Sequence, residues 1–179
     1  MPTNDKTLLE PTQAQLYTML ILRELGASTH LQLLYFVTDS ELMNDIELVL
    51  ALRALTENGL AAVIERPTEG LYRLTEAGIE TLSFFENHMR HSIATAICEK
   101  APGYRERYEK ENQFSTAITR ERRGDYVAHL CLMEGDIAAM ELKLNVPLQE
   151  MAEKLTGAWE KHAGEIYRYL LSQLNEEET

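Results

Sequence analysis

The sequence has little cysteine and no long apolar run. Its 179 residues include two cysteines, Cys98 and Cys131, which are too few for a disulfide framework and are typical of reduced thiols in the cytoplasm. No apolar segment approaches the roughly 20 residues that span a bilayer. The start of the chain, residues 1–6, lacks the charged and apolar regions of a secretory signal. We therefore expect a cytoplasmic protein with no membrane segment.

Basic residues are also scarce. The chain has 17 basic and 29 acidic side chains, which give a net charge of −12. Over residues 1–90 the imbalance is six basic to thirteen acidic. Such a charge aids solubility and repels polyanions unless a local basic patch dominates. The densest basic cluster is Arg120, Arg122 and Arg123, where neighbouring glutamates favour a solvated surface over a site for phosphate or another anion.

Motifs of catalysis and of metal binding are missing as well. The chain has no glycine-rich phosphate loop, no paired-cysteine motif and no set of residues that forms a catalytic triad. His88 and His91 have helical spacing, but zinc needs three or four ligands. His129 and Cys131 share one side of a predicted strand without a third residue to orient them. We expect a protein that is not an enzyme and that binds neither metal nor cofactor.

Helical spacing and capping residues predict three helices near the start of the chain. The first opens at Thr12 and ends at Gly26, and the second begins at Thr29. The third covers residues 41–58, with Ser40 as its cap. The short connections between them are typical of a helix-turn-helix.

A β-hairpin is predicted after the third helix. Residues 60–64 and 71–74 are short apolar runs joined by a turn with proline and glycine. Thr75 then caps a further helix, whose apolar spacing continues toward Pro102 with a break indicated at Asn87. The order of three helices, hairpin and helix is that of a winged helix-turn-helix.

Three strands and a last helix are predicted in the second half of the chain. Residues 113–122, 125–134 and 136–146 have the character of strands, and short turns with glycine join them into an antiparallel meander. Residues 147–174 form one amphipathic helix that would cover the sheet. Its apolar face comprises Leu148, Met151, Leu155, Trp159, Ile166, Leu170 and Leu174.

The chain is therefore predicted to be an α+β protein with two domains. Residues 1–100 form a winged helix-turn-helix domain with a long extra helix. Residues 101–179 form a three-stranded antiparallel meander packed on a long C-terminal helix. The aromatic side chains of this second part either belong to its core or line a small pocket between sheet and helix. They are Tyr104, Tyr108, Phe114, Tyr126 and Trp159.

Two short segments carry a family resemblance. The segment "LRALTENGLA" precedes the predicted hairpin, and "YRLTEAG" includes its second strand. With them, the N-terminal part resembles winged-helix regulators of the PadR and MarR type. The whole chain is similar to an uncharacterised winged-helix family of Gram-positive bacteria, a domain of unknown function. The resemblance implies a winged-helix fold and, by analogy of fold, a regulator of transcription.

Four residues suit contacts to DNA. Winged-helix regulators place the third helix in the major groove and the hairpin on phosphate. The residues that fit those positions are Asn44, Arg53, Arg66 and Arg73. The first functional hypothesis is a cytoplasmic homodimer that binds duplex DNA, with the second domain serving dimerisation or ligand sensing.

The outer face of the third helix suggests a different function. Met43, Ile46 and Leu50 lie close together in sequence and would form an apolar patch. A second protomer, the rest of the chain or another protein would cover that patch, and each of these keeps the helix out of a DNA groove. The second hypothesis is a winged-helix protein-interaction module that does not bind DNA.

Overall fold

The computed structural model describes residues 9–121 and 124–175. Within those residues the chain is a mixed α+β protein with six α-helices and two antiparallel sheets, of two and three strands. The elements in chain order are α1 (Pro11–Leu25), α2 (His30–Asp39), α3 (Asp45–Glu57), β1 (Ala61–Ile64), β2 (Leu71–Leu74), α4 (Glu76–Phe85), α5 (His91–Asn112), β3 (Phe114–Arg120), β4 (Tyr126–Glu134), β5 (Ile137–Val146) and α6 (Gln149–Leu174).

The chain divides into two compact units. The first comprises Met1–Glu65 and Gly70–Glu111, and the second comprises Arg66–Glu69 and Asn112–Thr179. The boundary predicted after residue 100 lies inside α5. The turn of the hairpin between β1 and β2 belongs to the second unit, although both strands belong to the first.

The core of the first unit forms between α1, α2 and α3. Tyr17, Ile21, Leu33, Phe36 and Leu55 are among its fully buried side chains. In α2 and α3 the buried residues recur at steps of three or four, so each of these helices turns one apolar stripe inward. By contrast, every residue of α1 from Leu16 to Leu22 is buried. Burial of these side chains supplies most of the stability of three short helices that would be marginal alone.

Both α2 and α3 begin with a reciprocal capping box. In α2 the Thr29 hydroxyl accepts the Gln32 N–H, and the Gln32 side chain accepts the Thr29 N–H. In α3 Asn44 and Glu47 make the same pair of bonds. The prediction that the third helix starts at residue 41 behind Ser40 was wrong, because Asn44 and Glu47 together satisfy two backbone N–H groups of a later start. Ser40 instead ends α2.

The predicted hairpin is confirmed. β1 and β2 pair antiparallel, with Ala61 opposite Leu74. The segment before α2 adds a further bridge, because Ser28 and Tyr72 exchange both backbone hydrogen bonds, at 3.0 and 2.8 Å. Gly78 of α4 lies against the base of the hairpin, where an added Cβ would come within 2.1 Å of the Leu60 carbonyl oxygen.

The long apolar helix predicted after the hairpin is interrupted. α4 ends at Phe85, a 3₁₀ turn follows over Glu86–His88, and α5 begins at His91. The break falls where Asn87 indicated it. α5 then continues through Pro102 to Asn112, ten residues beyond the proline toward which the apolar spacing was predicted to extend.

The second unit is the predicted meander covered by α6. The strand order is β3-β4-β5, with a register shift at Leu132 and Met133. Leu130, Leu132 and Met140 of one sheet face pack on Trp159 and Ala163 of α6. The Trp159 indole N–H donates to the Cys131 carbonyl at 2.9 Å.

The start of the last helix and part of its predicted apolar face differ from the prediction, whereas its end at Leu174 agrees. α6 begins at Gln149, two residues beyond Pro147. Three of the seven side chains predicted to face the sheet are exposed, namely Leu148, Met151 and Leu174. The buried positions of α6 are the predicted Trp159 and two small residues, Ala152 and Ala163. Close contact between helix and sheet requires short side chains there, and a pattern of large apolar residues does not reveal them.

Candidate interaction surface

An exposed apolar surface lies on α3. Ile46, Val49 and Leu50 have exposed fractions of 70%, 44% and 60%. Their helical neighbours Leu48 and Leu52 are buried in the core of the first unit. The three outer side chains therefore point away from that core. We call Ile46, Val49 and Leu50 the α3 apolar face.

Met43 does not join the α3 apolar face. It precedes the first residue of α3 and is only 5% exposed. Its sulfur lies 3.8 Å from the Thr18 hydroxyl inside the core. With the third helix predicted to start at residue 41, helical spacing placed Met43 beside Ile46. Because α3 starts at Asp45, Met43 is outside the helix and does not share that face. Val49, which the sequence reasoning missed, takes its place three residues after Ile46.

The charged groups around this face are paired or acidic. The Arg53 guanidinium donates to Glu57 at 2.7 Å, one turn along the same helix. The carboxylate pairing raises the pKa of Arg53 above its usual value. At the other end of α3, Asp45 lies 3.2 Å from the His30 ring. Glu47 accepts the backbone N–H of Leu9 at 2.5 Å.

Asn44 has a structural role at the start of α3. Its side-chain oxygen accepts the Glu47 N–H at 2.9 Å, and its own N–H donates to the Glu47 carboxylate at 2.8 Å. Recognition of adenine by asparagine uses the side-chain oxygen and amide together. The oxygen of Asn44 is already committed to the cap.

Arg66 is held by backbone carbonyls in the second unit. Its Nε donates to the Glu69 carbonyl and one terminal nitrogen donates to the Asn112 carbonyl, both at 3.0 Å. Burial lowers the pKa of Arg66 from its usual value. The side chain ties the hairpin turn to the start of β3, so it is not a free contact for phosphate.

Arg73 differs from the other three predicted DNA contacts. It lies exposed on β2, opposite Ala62. Among residues 9–121 and 124–175, no hydrogen bond or ion pair engages its guanidinium. Of the four residues predicted to touch DNA, Arg73 alone combines exposure with an unengaged charge in that part of the chain.

A shallow apolar cleft adjoins the α3 apolar face. It has a volume of about 210 Å³ and lies between the start of α1 and one side of α3. Ile46 and Leu50 form one wall, and Pro11 and Ala14 form part of the other. The cleft extends the apolar surface beyond the helix itself.

The aromatic residues predicted to line one pocket belong to different compact units. Tyr104 and Tyr108 belong to α5 of the first unit, where Arg107 lies over both rings at 5.0 and 5.1 Å. The Tyr104 hydroxyl donates to Asp39 at 2.6 Å, which raises the pKa of Tyr104 to about 12. These contacts fasten α2 to α5. Phe114 and Trp159 are in the second unit.

Of the weaker candidates from the sequence, His129 makes a hydrogen bond to a neighbouring strand and His91 lines an open cavity. The His129 ring bonds to the Thr119 hydroxyl at 2.9 Å, and burial raises the pKa of the Cys131 thiol, which disfavours the nucleophilic thiolate. His91 lines an open cavity of about 450 Å³ with Cys98. Within the described ranges, no three His, Cys, Asp or Glu side chains are placed to share a metal ion.

Part of the basic cluster at the β3–β4 turn can be located. The Arg120 guanidinium lies 5.8 Å from the centre of the Tyr126 ring, at the ends of two paired strands. Arg122 and Arg123 lie outside the described residues.

Comparison with known proteins places the chain in a family. A family model described as "Domain of unknown function (DUF4364)" matches residues 15–174. The chain belongs to the DUF4364 family. That match spans both compact units and every strand and helix from α2 to α6. No curated protein matches the chain, and no solved structure matches it. Across the residues that the structure describes, no helix is both long and apolar enough to cross a membrane.

Proposed function

We propose that this DUF4364 protein is a winged-helix protein-interaction module rather than an enzyme, and that α3 binds protein instead of DNA. The observation that carries the proposal is the exposure of Ile46, Val49 and Leu50 at the position of the recognition helix. A winged-helix assignment is supported by the order α1 to β2 and by the bridge between Ser28 and Tyr72. Through that bridge the segment before α2 pairs with the hairpin at one residue.

The chemistry of α3 is unsuited to base recognition. Direct readout in the major groove needs arginine, lysine, asparagine or glutamine at base edges. The α3 apolar face offers three aliphatic side chains, and Arg53 beside it is paired with Glu57. If this face entered the groove, its aliphatic side chains would offer the base edges no hydrogen-bond partner. Burying it against another apolar surface is favourable at about 25 cal/mol per Å².

A second copy of the chain is the partner that fits this face best. An isologous dimer requires a surface complementary to itself. The exposed Ile46, Val49 and Leu50 form one continuous apolar face that can pack on a copy of itself. When two α3 helices pack antiparallel about Val49 and Leu50, each apolar face covers the other and both are removed from water.

The oligomeric state tests this proposal. We expect the wild-type protein to sediment as a dimer and Leu50→Glu to sediment as a folded monomer, because a buried carboxylate lacks a partner at the centre of the interface. Phe84→Glu is the matched control, since Phe84 is an 80% exposed apolar residue on a different helix, α4. It should leave the dimer intact. Circular dichroism checks that both variants fold.

Two outcomes would contradict the proposal. A wild-type chain that stays monomeric at high micromolar concentration would exclude the second copy as the partner. A dimer that survives Leu50→Glu would place the interface elsewhere, with exposed Leu171 of α6 as the next surface to substitute.

A second candidate function is a regulator that binds duplex DNA as a dimer. The order of helices and hairpin favours it, together with exposed Arg73 on β2. In that case the hairpin contacts phosphate, and the second unit serves dimerisation or ligand sensing. The net charge of −12 and the acidic surroundings of α3 stand against it.

A further inference from the structure

A further cavity lies entirely within the second unit. It has a volume of about 290 Å³, near the lower end of the roughly 300–1,000 Å³ typical of ligand pockets. It opens between one end of the three-stranded sheet and the C-terminal half of α6. Its apolar walls are Phe114, Leu132 and Tyr167, and Gly164 leaves the helix side of the cavity open.

The register shift between β4 and β5 lies beside this cavity. Regular pairing with β5 holds as far as Leu132 opposite Met140, and beyond the shift Met133 lies opposite Ala138. Ala139, left between them, lines the cavity with its small side chain. A regular strand with a large residue here would fill the space. The irregular end of the sheet therefore leaves an apolar recess beneath α6.

Two opposite charges border the recess. The Arg168 Nε donates to the Gly164 carbonyl at 3.2 Å, which holds the guanidinium beside the cavity. Glu134, at the end of β4, also lines it. In the described part of the chain, no ion pair joins these two side chains or engages either with another residue. A basic and an acidic group thus adjoin the same apolar space without neutralising each other directly.

We propose that this cavity binds an α-amino acid with an apolar side chain. The apolar group would lie between Phe114 and Tyr167. The ligand carboxylate would pair with the terminal nitrogens of Arg168, and its ammonium group would pair with Glu134. A plain carboxylate would be opposed by Glu134 and a plain amine by Arg168, so only a zwitterion satisfies both charges. This site is independent of α3 and of the proposed interaction surface.

Three probes of matched shape test the proposal by calorimetric titration of the full-length chain. They are L-phenylalanine, 3-phenylpropionate, which lacks the ammonium group, and phenethylamine, which lacks the carboxylate. We expect L-phenylalanine to bind at least about tenfold more tightly than either, because each analogue leaves one charged group of the site unpaired. Arg168→Met should lower the affinity for L-phenylalanine to that of the wild type for phenethylamine. Glu134→Gln should lower it to that of the wild type for 3-phenylpropionate.

Two glycines of α6 provide a matched pair of variants. A Cβ at Gly164 or at Gly157 would meet no atom within 4 Å, so neither substitution forces a clash. Gly164→Leu should fill the cavity and abolish binding of all three probes. Gly157→Leu makes the same change outside the cavity and should leave binding unaltered. Thermal melting of both variants verifies that the fold persists.

The outcomes that overturn the proposal are distinct. Absence of L-phenylalanine binding, equal binding of all three probes, or full binding by Gly164→Leu would each refute an amino-acid site in this cavity. Preferential binding of 3-phenylpropionate would show that Glu134 plays no part and would assign the cavity to monocarboxylates instead.

Discussion

At the scale of single residues, Gly78 and Gly157 occupy opposite environments within two helices. Gly78 faces the base of the hairpin, where a Cβ would lie 2.1 Å from the Leu60 carbonyl oxygen and 2.7 Å from the Leu74 side chain. Gly157 faces open space on α6. The same substitution should therefore have opposite effects on stability. Packing against the hairpin decides the effect at Gly78, and intrinsic helix preference decides it at Gly157.

We expect Gly78→Ala to lower the free energy of unfolding by about 1–3 kcal/mol, because α4 must move away from a backbone atom that cannot yield. Gly157→Ala should raise it by up to about 1 kcal/mol, since alanine restricts the unfolded chain and favours the helix. Urea denaturation followed by circular dichroism measures both. Equal effects of the two substitutions would show that α4 does not approach the hairpin so closely.

At the scale of secondary-structure elements, α2 and α5 are joined by the Tyr104–Asp39 hydrogen bond. The bond raises the pKa of Tyr104 to about 12 from its ordinary value of 10.0, because the phenol must stay protonated to donate to the carboxylate. A raised pKa means that the folded state favours the neutral phenol. The contribution to stability is complete below pH 10.0 and is lost as the pH rises through about 12.

Tyr104→Phe should therefore be less stable than the wild type at neutral pH, and the difference should shrink between pH 10 and 12. Urea denaturation at a series of pH values measures it. Tyr169→Phe is the control, since Tyr169 is 63% exposed on α6 and should show no such change. A difference between wild type and Tyr104→Phe that stays constant to pH 12 would mean that the Tyr104 pKa is not raised in the fold.

Element boundaries show which parts of the fold the sequence predicts. The hairpin and the meander follow from local patterns, because alternating apolar residues and glycine turns act within a few positions. The start of α3 was missed although a local signal existed. Glu47 stands three residues after Asn44, which completes a capping box, whereas Ser40 has Met43 at that position.

Site residues were harder to predict because their partners are distant in sequence. Arg66 donates to the carbonyl of Asn112, which is 46 residues away, and no local pattern indicates that bond. The cavity beside Gly164 likewise depends on a register shift between β4 and β5. By contrast, the exposed apolar character of Ile46 and Leu50 could be inferred from helical spacing alone.

At the scale of the whole molecule, charge sets the expected behaviour toward DNA. The net charge is −12, and of the four predicted DNA contacts only Arg73 is exposed and unengaged within the described residues. Each phosphate neutralised contributes about −0.9 to the slope of log affinity against log salt. A dimer with one such arginine per copy makes two phosphate contacts, so the slope would be about −2 at its steepest. So few contacts give too low an affinity for binding at physiological salt.

We therefore expect no measurable binding of a fluorescent mixed-sequence duplex at physiological salt, followed by anisotropy, and at most weak binding at low salt. Arg73→Ala should remove any low-salt binding, because it eliminates the contact to phosphate, whereas Leu50→Lys should not remove it. Tight binding that Arg53→Ala or Leu50→Lys abolishes would instead place α3 in the groove. That result would reject protein binding by the α3 apolar face and favour the regulator of transcription.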